Sequence, residues 1–195
     1  MQFGEAKKYI LGKLKNELPR YLSYHSVEHV KDVFDSCKSI AASEGVKGDD
    51  LKLLLTAALF HDAGFLKGPK EHEKKSCQIA KKNLPLYGYN AEQIKKICGM
   101  IMATKVPQQP QNHLEEIICD ADLDYLGRDD FFTIGDKLFA ELSVYGILST
   151  EDEWNRLQVR FLESHHYFTK TAIKLRQKRK DKHLKLVKSK IGKNT

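Results

Sequence analysis

An all-α fold is the reading this sequence supports, and three observations carry it. Apolar residues recur at helical spacing along most of the chain, and alternating runs of β-branched residues are missing. Helix-stopping signals, among them Pro19, Gly45, Pro107 and Pro110, fall between the periodic stretches. With 195 residues, 41% of them apolar, there is material for one continuous core, so no sheet and a single domain are expected. Its body is assigned to residues 1–169, and a basic C-terminal helix and tail to residues 170–195.

The elements follow in order. A first helix runs to about Leu18, where Pro19 stops it. The second begins near Ser26 and places Val27, Val30, Phe34, Cys37 and Ala41 on neighbouring turns until Gly45. The third, roughly Asp50 to Ala63, is apolar almost all the way round through Leu53–Phe60, so it should cross the core. Helices near Glu71 to Asn83 and from an Asn90 cap with Gln93 in capping-box spacing come next. Beyond the proline loop, helices are expected over about Leu114 to Tyr125, Phe131 to Tyr145 and Glu151 to Tyr167. Thr150 and Glu153 open the last of these. In the final basic helix, Leu184, Val187 and Ile191 share a face that can dock on the body, and the last few residues should fray.

Bulk properties exclude several classes. No apolar run approaches the length of a membrane span, and the N-terminus, charged from Glu5 onward, lacks the pattern of a secretory signal. A cytoplasmic location is expected. Cys37, Cys77, Cys98 and Cys119 are widely spaced, with no CxxC pair, which points to buried free thiols and away from a zinc knot or a disulfide framework. The net charge of +7 is uneven: residues 170–195 hold eleven Lys or Arg against Asp181, leaving the rest of the chain at −3. Such a run is commonly a solvated helix face, although it can also bind phosphate, RNA or an acidic membrane.

The strongest local anomaly is His61-Asp62 at the end of the most apolar helix. A carboxylate there is costly to bury unless it is paired or bound to a metal. His29, His61, Asp62 and Asp122 would bring two imidazoles and two carboxylates from three helices to one point. That mixed nitrogen and oxygen set suits Mn, Fe, Co, Ni or Zn better than Ca.

These residues, in the words Tyr24-His25-Ser26-Val27-Glu28-His29, Leu59-Phe60-His61-Asp62-Ala63-Gly64-Phe65 and Cys119-Asp120-Ala121-Asp122-Leu123-Asp124-Tyr125-Leu126-Gly127, reproduce an H…HD…D signature. The chain thereby resembles the HD superfamily of metal-dependent phosphohydrolases over about residues 24 to 130. A bare HD dipeptide would be nearly worthless; the order and spacing of the whole set are specific. The resemblance implies a helical bundle of the HD-domain, phosphodiesterase-like type. It also implies His29, His61, Asp62 and Asp122 as metal ligands, Asp62 as a residue of the reaction itself, and attack by metal-bound hydroxide on phosphorus. Asp122 is taken as the last ligand because Ala121-Asp122-Leu123 aligns with the family's alanine–aspartate word, with Asp120 as the alternative. Tyr24-His25-x-x-x-His29 looks like the cyclic nucleotide phosphodiesterase branch, which would make His25 the proton donor to the leaving oxygen. An imidazole, with its ordinary pKa of about 6.5, suits that work.

His72 and Lys105 are further candidates for holding the phosphate, or for a second site that could accept Mg or Mn. Two-metal members of the family carry a histidine where this chain has Ala103 or Thr104, so one firm site is expected. The aromatic set of Phe131, Phe132, Trp154, Phe161, Tyr167 and Phe168 reads as core, with part of it available to wall a pocket. The expected substrate is a small phosphate ester, a nucleotide phosphomonoester or phosphodiester first. The alternative is a noncatalytic nucleotide- or RNA-binding module with a structural metal and a basic tail.

Overall fold

The structure, a computed structural model, describes residues 1–192. It is all-helical: α1 (Phe3–Glu17), α2 (Val27–Ser43), α3 (Gly48–Phe60), α4 (His72–Asn83), α5 (Ala91–Ala103), α6 (His113–Asp122), α7 (Phe131–Val144), α8 (Glu151–Ser164) and α9 (Lys170–Lys188). Three short 3-10 segments, Ala63–Lys67, Leu84–Tyr87 and Asp124–Gly127, follow α3, α4 and α6. No strand occurs among the described residues. The chain end expected to fray falls partly on residues 193–195, outside the described residues. None of the described helices is long and apolar enough to cross a membrane.

Local chemistry sets most boundaries. Leu18 is extended, as the residue before a proline must be, and that ends α1. The Ser26 side chain accepts from the His29 N–H and opens α2, while Asn90 and Thr150 each form a complete capping box with Gln93 and Glu153. Three helices stop about three residues earlier than their apolar pattern suggests: α3 at Phe60, α6 at Asp122 and α8 at Ser164. After α3 and α6 the chain tightens into 3-10 segments that still carry apolar residues inward, Phe65 in one and Tyr125 and Leu126 in the other. Periodicity alone cannot register that change, because the burial pattern continues across it.

Helix α3 packs against α1, α2, α4, α5 and α6, so it is the axis of the main core. Leu54, Ala57, Ala58, Leu59 and Phe60 are fully buried there. A second, smaller core gathers Tyr24, Leu123, Tyr125, Leu126, Phe131, Leu162 and Val187. Its closure depends on α9, which packs on α8 and on the Asp124–Gly127 segment. His183 donates from Nδ1 to the Leu126 carbonyl over 2.8 Å and stacks on Phe131, and Val187 is wholly buried. The basic run is therefore partly engaged with the body: Arg176 pairs with Asp124, Arg179 with Asp129 and Lys188 with Glu163, and Lys180 is buried against His165. All four cysteines are buried and free.

The contact between α9 and the Asp124–Gly127 segment leaves no room for a side chain at Gly127. A Cβ there would lie 2.5 Å from the Arg176 Cβ and 2.6 Å from its carbonyl oxygen. Gly127→Ala should thus cost about 1–3 kcal/mol and lower the melting temperature by roughly 2–12 °C. Circular dichroism melting measures this; an unchanged melting temperature would mean that α9 is not seated as described.

Candidate metal centre

His61 and Asp62 lie in the turn between α3 and the following 3-10 segment, where the chain leaves the core with both side chains still buried. Three contacts fix this turn. Ser76 of α4 donates to the His61 carbonyl over 2.5 Å and accepts from the Gly64 N–H at 2.7 Å. Gly64 lies so close to α4 that a Cβ would meet the His72 carbonyl oxygen at 1.9 Å. The His61 ring donates from Nδ1 to the Ala58 carbonyl at 2.7 Å, which leaves the Nε2 lone pair facing inward.

Helix α2 brings His29, and the last residue of α6 brings Asp122, to that Nε2. The His29 and His61 Nε2 atoms are 3.4 Å apart. Asp62 Oδ2 lies 3.4 Å from the first and 3.2 Å from the second, and Asp122 Oδ1 lies 3.2 Å and 3.4 Å from them. Ligands about 2.1 Å from a shared ion are roughly 3.0 Å apart at a right angle and roughly 3.4 Å apart at the tetrahedral angle. Each carboxylate oxygen is spaced from the two imidazoles as ligands of one ion would be. His29, His61 and Asp122 meet the geometric conditions for holding a metal. Asp62 Oδ2 is buried without a hydrogen-bond donor, the state of a carboxylate oxygen that expects a cation.

Electrostatics agree with the geometry. Burial works against a charge on His61, but Asp62 and Asp122 outweigh it and hold the imidazole well above its ordinary pKa. Burial also works against ionisation of the two carboxylates, and the imidazoles outweigh it: Asp62 is held far below the usual range, and Asp122 falls to about 2. A divalent ion supplies the same compensation and takes the same Nε2 lone pair as the proton.

Three acids at alternate positions around the end of α6 are sent to three destinations. Asp122 faces the cluster. Asp120 is fully buried and accepts from the Phe168 and Thr169 N–H groups, both at 2.8 Å, anchoring the start of α9. Burial raises it to about 6 despite those two donors. Asp124 makes a two-pronged pair with Arg176, at 2.6 and 3.0 Å. Asp120, the alternative ligand in the sequence reading, is thus occupied elsewhere.

The cluster opens into a cleft of about 440 Å³ lined by His25, His72, Lys105 and Thr104 among others. His25 stacks on Phe65 with ring centroids 4.0 Å apart, and its Nδ1 meets Glu141 Oε1 in a very short contact. The other Glu141 oxygen accepts from the Tyr24 and His25 N–H groups at 2.9 and 3.0 Å. Burial raises Glu141, but His25 and the two N–H groups hold it below the usual carboxylate range. His72 Nε2 lies 3.4 Å from Asp62 Oδ1, the oxygen not turned to His29 and His61. Thr104 donates to its own helix, at the Ile101 carbonyl.

Glu141 and Ser76 were not singled out from the sequence. Glu141 left a signal, a carboxylate on the otherwise apolar stripe of α7 that includes Phe131, Leu138 and Leu142. Ser76 left none, since a serine within a polar helix is unremarkable by pattern. Of the aromatic set, Phe131, Trp154 and Phe161 line the cleft.

A helical body that gathers two imidazoles and two carboxylates at one buried point defines a class, the helical hydrolases that use a divalent metal. Within that class the chain belongs to the HD domain family, whose model matches residues 26–124, just over half its length. The crystal structure of a predicted HD superfamily hydrolase from an uncultured Thermotogales bacterium shares the fold. The TM-score is 0.63 at 19% identity, over 93% of this chain and 89% of that one. No curated protein sequence matches the chain significantly.

Two substitutions separate ligand from anchor. Mn at about a hundred times its dissociation constant should add about 2.7 kcal/mol of stability, or roughly 5–11 °C in melting temperature. Asp122→Asn should abolish that metal-dependent rise. Asp120→Ala should retain it but lower the metal-free melting temperature, because two buried N–H groups lose their acceptor at about 1–3 kcal/mol each. Calorimetry with and without EDTA reads both; the reverse pattern would exchange the two assignments.

Proposed function

We propose that this protein is a phosphohydrolase that cleaves a small phosphate ester at the cleft, with a divalent ion held by His29, His61, Asp62 and Asp122. The observation that carries this reading is the orphaned, buried Asp62 Oδ2, enclosed by two imidazoles beside a cleft that holds a further, separately fixed histidine, His25. Mn, Fe, Co, Ni or Zn suits the mixed donor set. When bound, such an ion polarises a phosphoryl oxygen and lowers the pKa of a coordinated water to about 7.

The chain's own residues supply the rest. With Nδ1 held by Glu141, His25 presents Nε2 to the cleft and can pass a proton to the departing ester oxygen. Glu141 acts through His25 by fixing its tautomer and ring orientation. Lys105 and His72 line the same cleft and bind the phosphate oxygens, His72 from beside the second Asp62 oxygen. A nucleotide phosphomonoester or phosphodiester is the substrate class that the family resemblance puts first, and a cleft of about 440 Å³ is in the range of small-molecule sites.

A phosphate-release screen with Mn, Mg, Co and Ni over nucleotides and simple phosphate esters tests this. Asp62→Ala should abolish turnover, and His25→Ala should lower kcat roughly 10²–10⁴-fold. Glu141→Gln should lower kcat by a smaller factor, on the order of tenfold, with little change in KM. Absence of turnover under all metals, together with salt-dependent RNA binding lost on charge reversal at Lys178, Lys182 and Lys185, would favour the binding module instead.

A further inference from the structure

The cleft has two chemically different walls. Every charged or imidazole side chain that lines it comes from the segment before α2, from α2, the His61-Asp62 turn, the segment around the start of α4, the end of α6, or Lys105 after α5. Another part of the lining belongs to α7 and α8. These helices contribute Phe131, Leu138, Leu142, Trp154, Leu157 and Phe161, and among the described residues their only polar side-chain groups there are the Gln158 amide and the Trp154 indole N–H. Both helices carry many charges, including Asp136, Lys137, Asp152, Arg156, Arg160 and Glu163, and none of these lines the cleft.

That apolar wall is not surplus core. Leu142 and Leu157 are half-buried and belong to neither core cluster, so their exposed surface is turned to the cleft. Nor is it loose. Trp154 is 8% exposed, lies nearly parallel to Phe139 with ring centroids 5.9 Å apart, and is backed by Gly135, where a Cβ would sit 3.6 Å from its ring. A prearranged apolar surface beside a polar phosphate end describes the ester it would hold.

We infer that the α7–α8 wall seats the organic group of the ester and that this group is apolar, an alkyl or aryl substituent selected by contact area and not by hydrogen-bond pattern. The inference rests on the phosphohydrolase reading for the phosphate end; for the organic group it sets an apolar substituent in place of the nucleoside that the family resemblance puts first. Sugar hydroxyls or further phosphates placed against this wall would lose water, with one amide at Gln158 and one indole N–H at Trp154 to replace it. Each added methylene gains area with no such loss, at about 0.8 kcal/mol, or roughly fourfold in affinity.

Trp154 is the only tryptophan in the chain and lines this wall, so its emission reports occupancy without turnover. Metal-loaded protein would be titrated with methyl-, butyl- and hexylphosphonate, which resist hydrolysis. In parallel, kcat/KM would be measured for ethyl, butyl, hexyl and 2-phenylethyl phosphate, glycerol 3-phosphate and adenosine 5′-monophosphate, all esters of primary alcohols. The expected result is a Trp154 response and a kcat/KM that both grow roughly fourfold per methylene, with hexyl and phenylethyl phosphate ahead of the glycerol and nucleotide esters. Leu142→Asn and Leu157→Asn should each reduce the hexyl-to-ethyl ratio about tenfold. Turnover that is flat with chain length, or highest for glycerol or nucleotide esters, overturns the inference and leaves the phosphohydrolase reading standing. A chain-length-dependent Trp154 response with no phosphate released from any ester upholds the apolar seat and overturns the hydrolase. With neither response nor turnover, both fall.

Discussion

The buried carboxylate of Asp62 is the constraint on which the rest of this structure depends. It lies at the end of an apolar helix with one oxygen that no N–H or O–H group satisfies, a condition that costs several kcal/mol unless a cation or a charged imidazole shares the space. The surrounding chain is arranged to keep it there. Ser76 clasps the turn from α4, Gly64 lets α4 approach to backbone contact, and the Ala58 carbonyl fixes the His61 tautomer. Each of these groups holds a member of the candidate cluster in place without entering it.

The end of α6 shows how one short stretch serves three purposes. Because the helix gives way to a 3-10 segment directly after Asp122, the acids at 120, 122 and 124 point in three directions. One anchors the backbone entering α9, one faces the metal site, and one pairs with an arginine of α9. The basic helix is consequently tied to the same segment that supplies Asp122 to the cluster. Its charge is less free than composition implies, since Arg176, Arg179, Lys180 and Lys188 all have partners on the body.

The cleft joins the two cores. Its polar side is built from elements that pack on α3, and its apolar side from α7 and α8, with Glu141 reaching across from α7 to hold His25. Glu141 thereby couples the α7 side of the cleft to His25. A displacement of α7 would alter the orientation of that imidazole as well as the shape of the cleft.

Much of this was legible in the chain itself. Helical periodicity, capping boxes at Asn90 and Thr150, and the anomaly of a histidine–aspartate pair in an apolar helix are local properties, and local properties are what spacing and residue type encode. The all-helical fold follows from them, while the grouping of His29, His61, Asp62 and Asp122 as one candidate cluster is what the resemblance to the H…HD…D signature implies. While α8 ends where the chain turns extended at His165, the early ends of α3 and α6 were not legible, because an apolar pattern looks the same whether the backbone continues as α-helix or tightens. Nor were the partners of Glu141 and Ser76, or the separate destinations of Asp120 and Asp124. Those depend on which distant surfaces meet, a property of packing between helices far apart in sequence. The sequence by itself determined which groups could do chemistry and on which elements they ride; only the tertiary structure decided which of them meet, since a hydrogen bond across more than a hundred residues is set by the docking of whole helices and by nothing local.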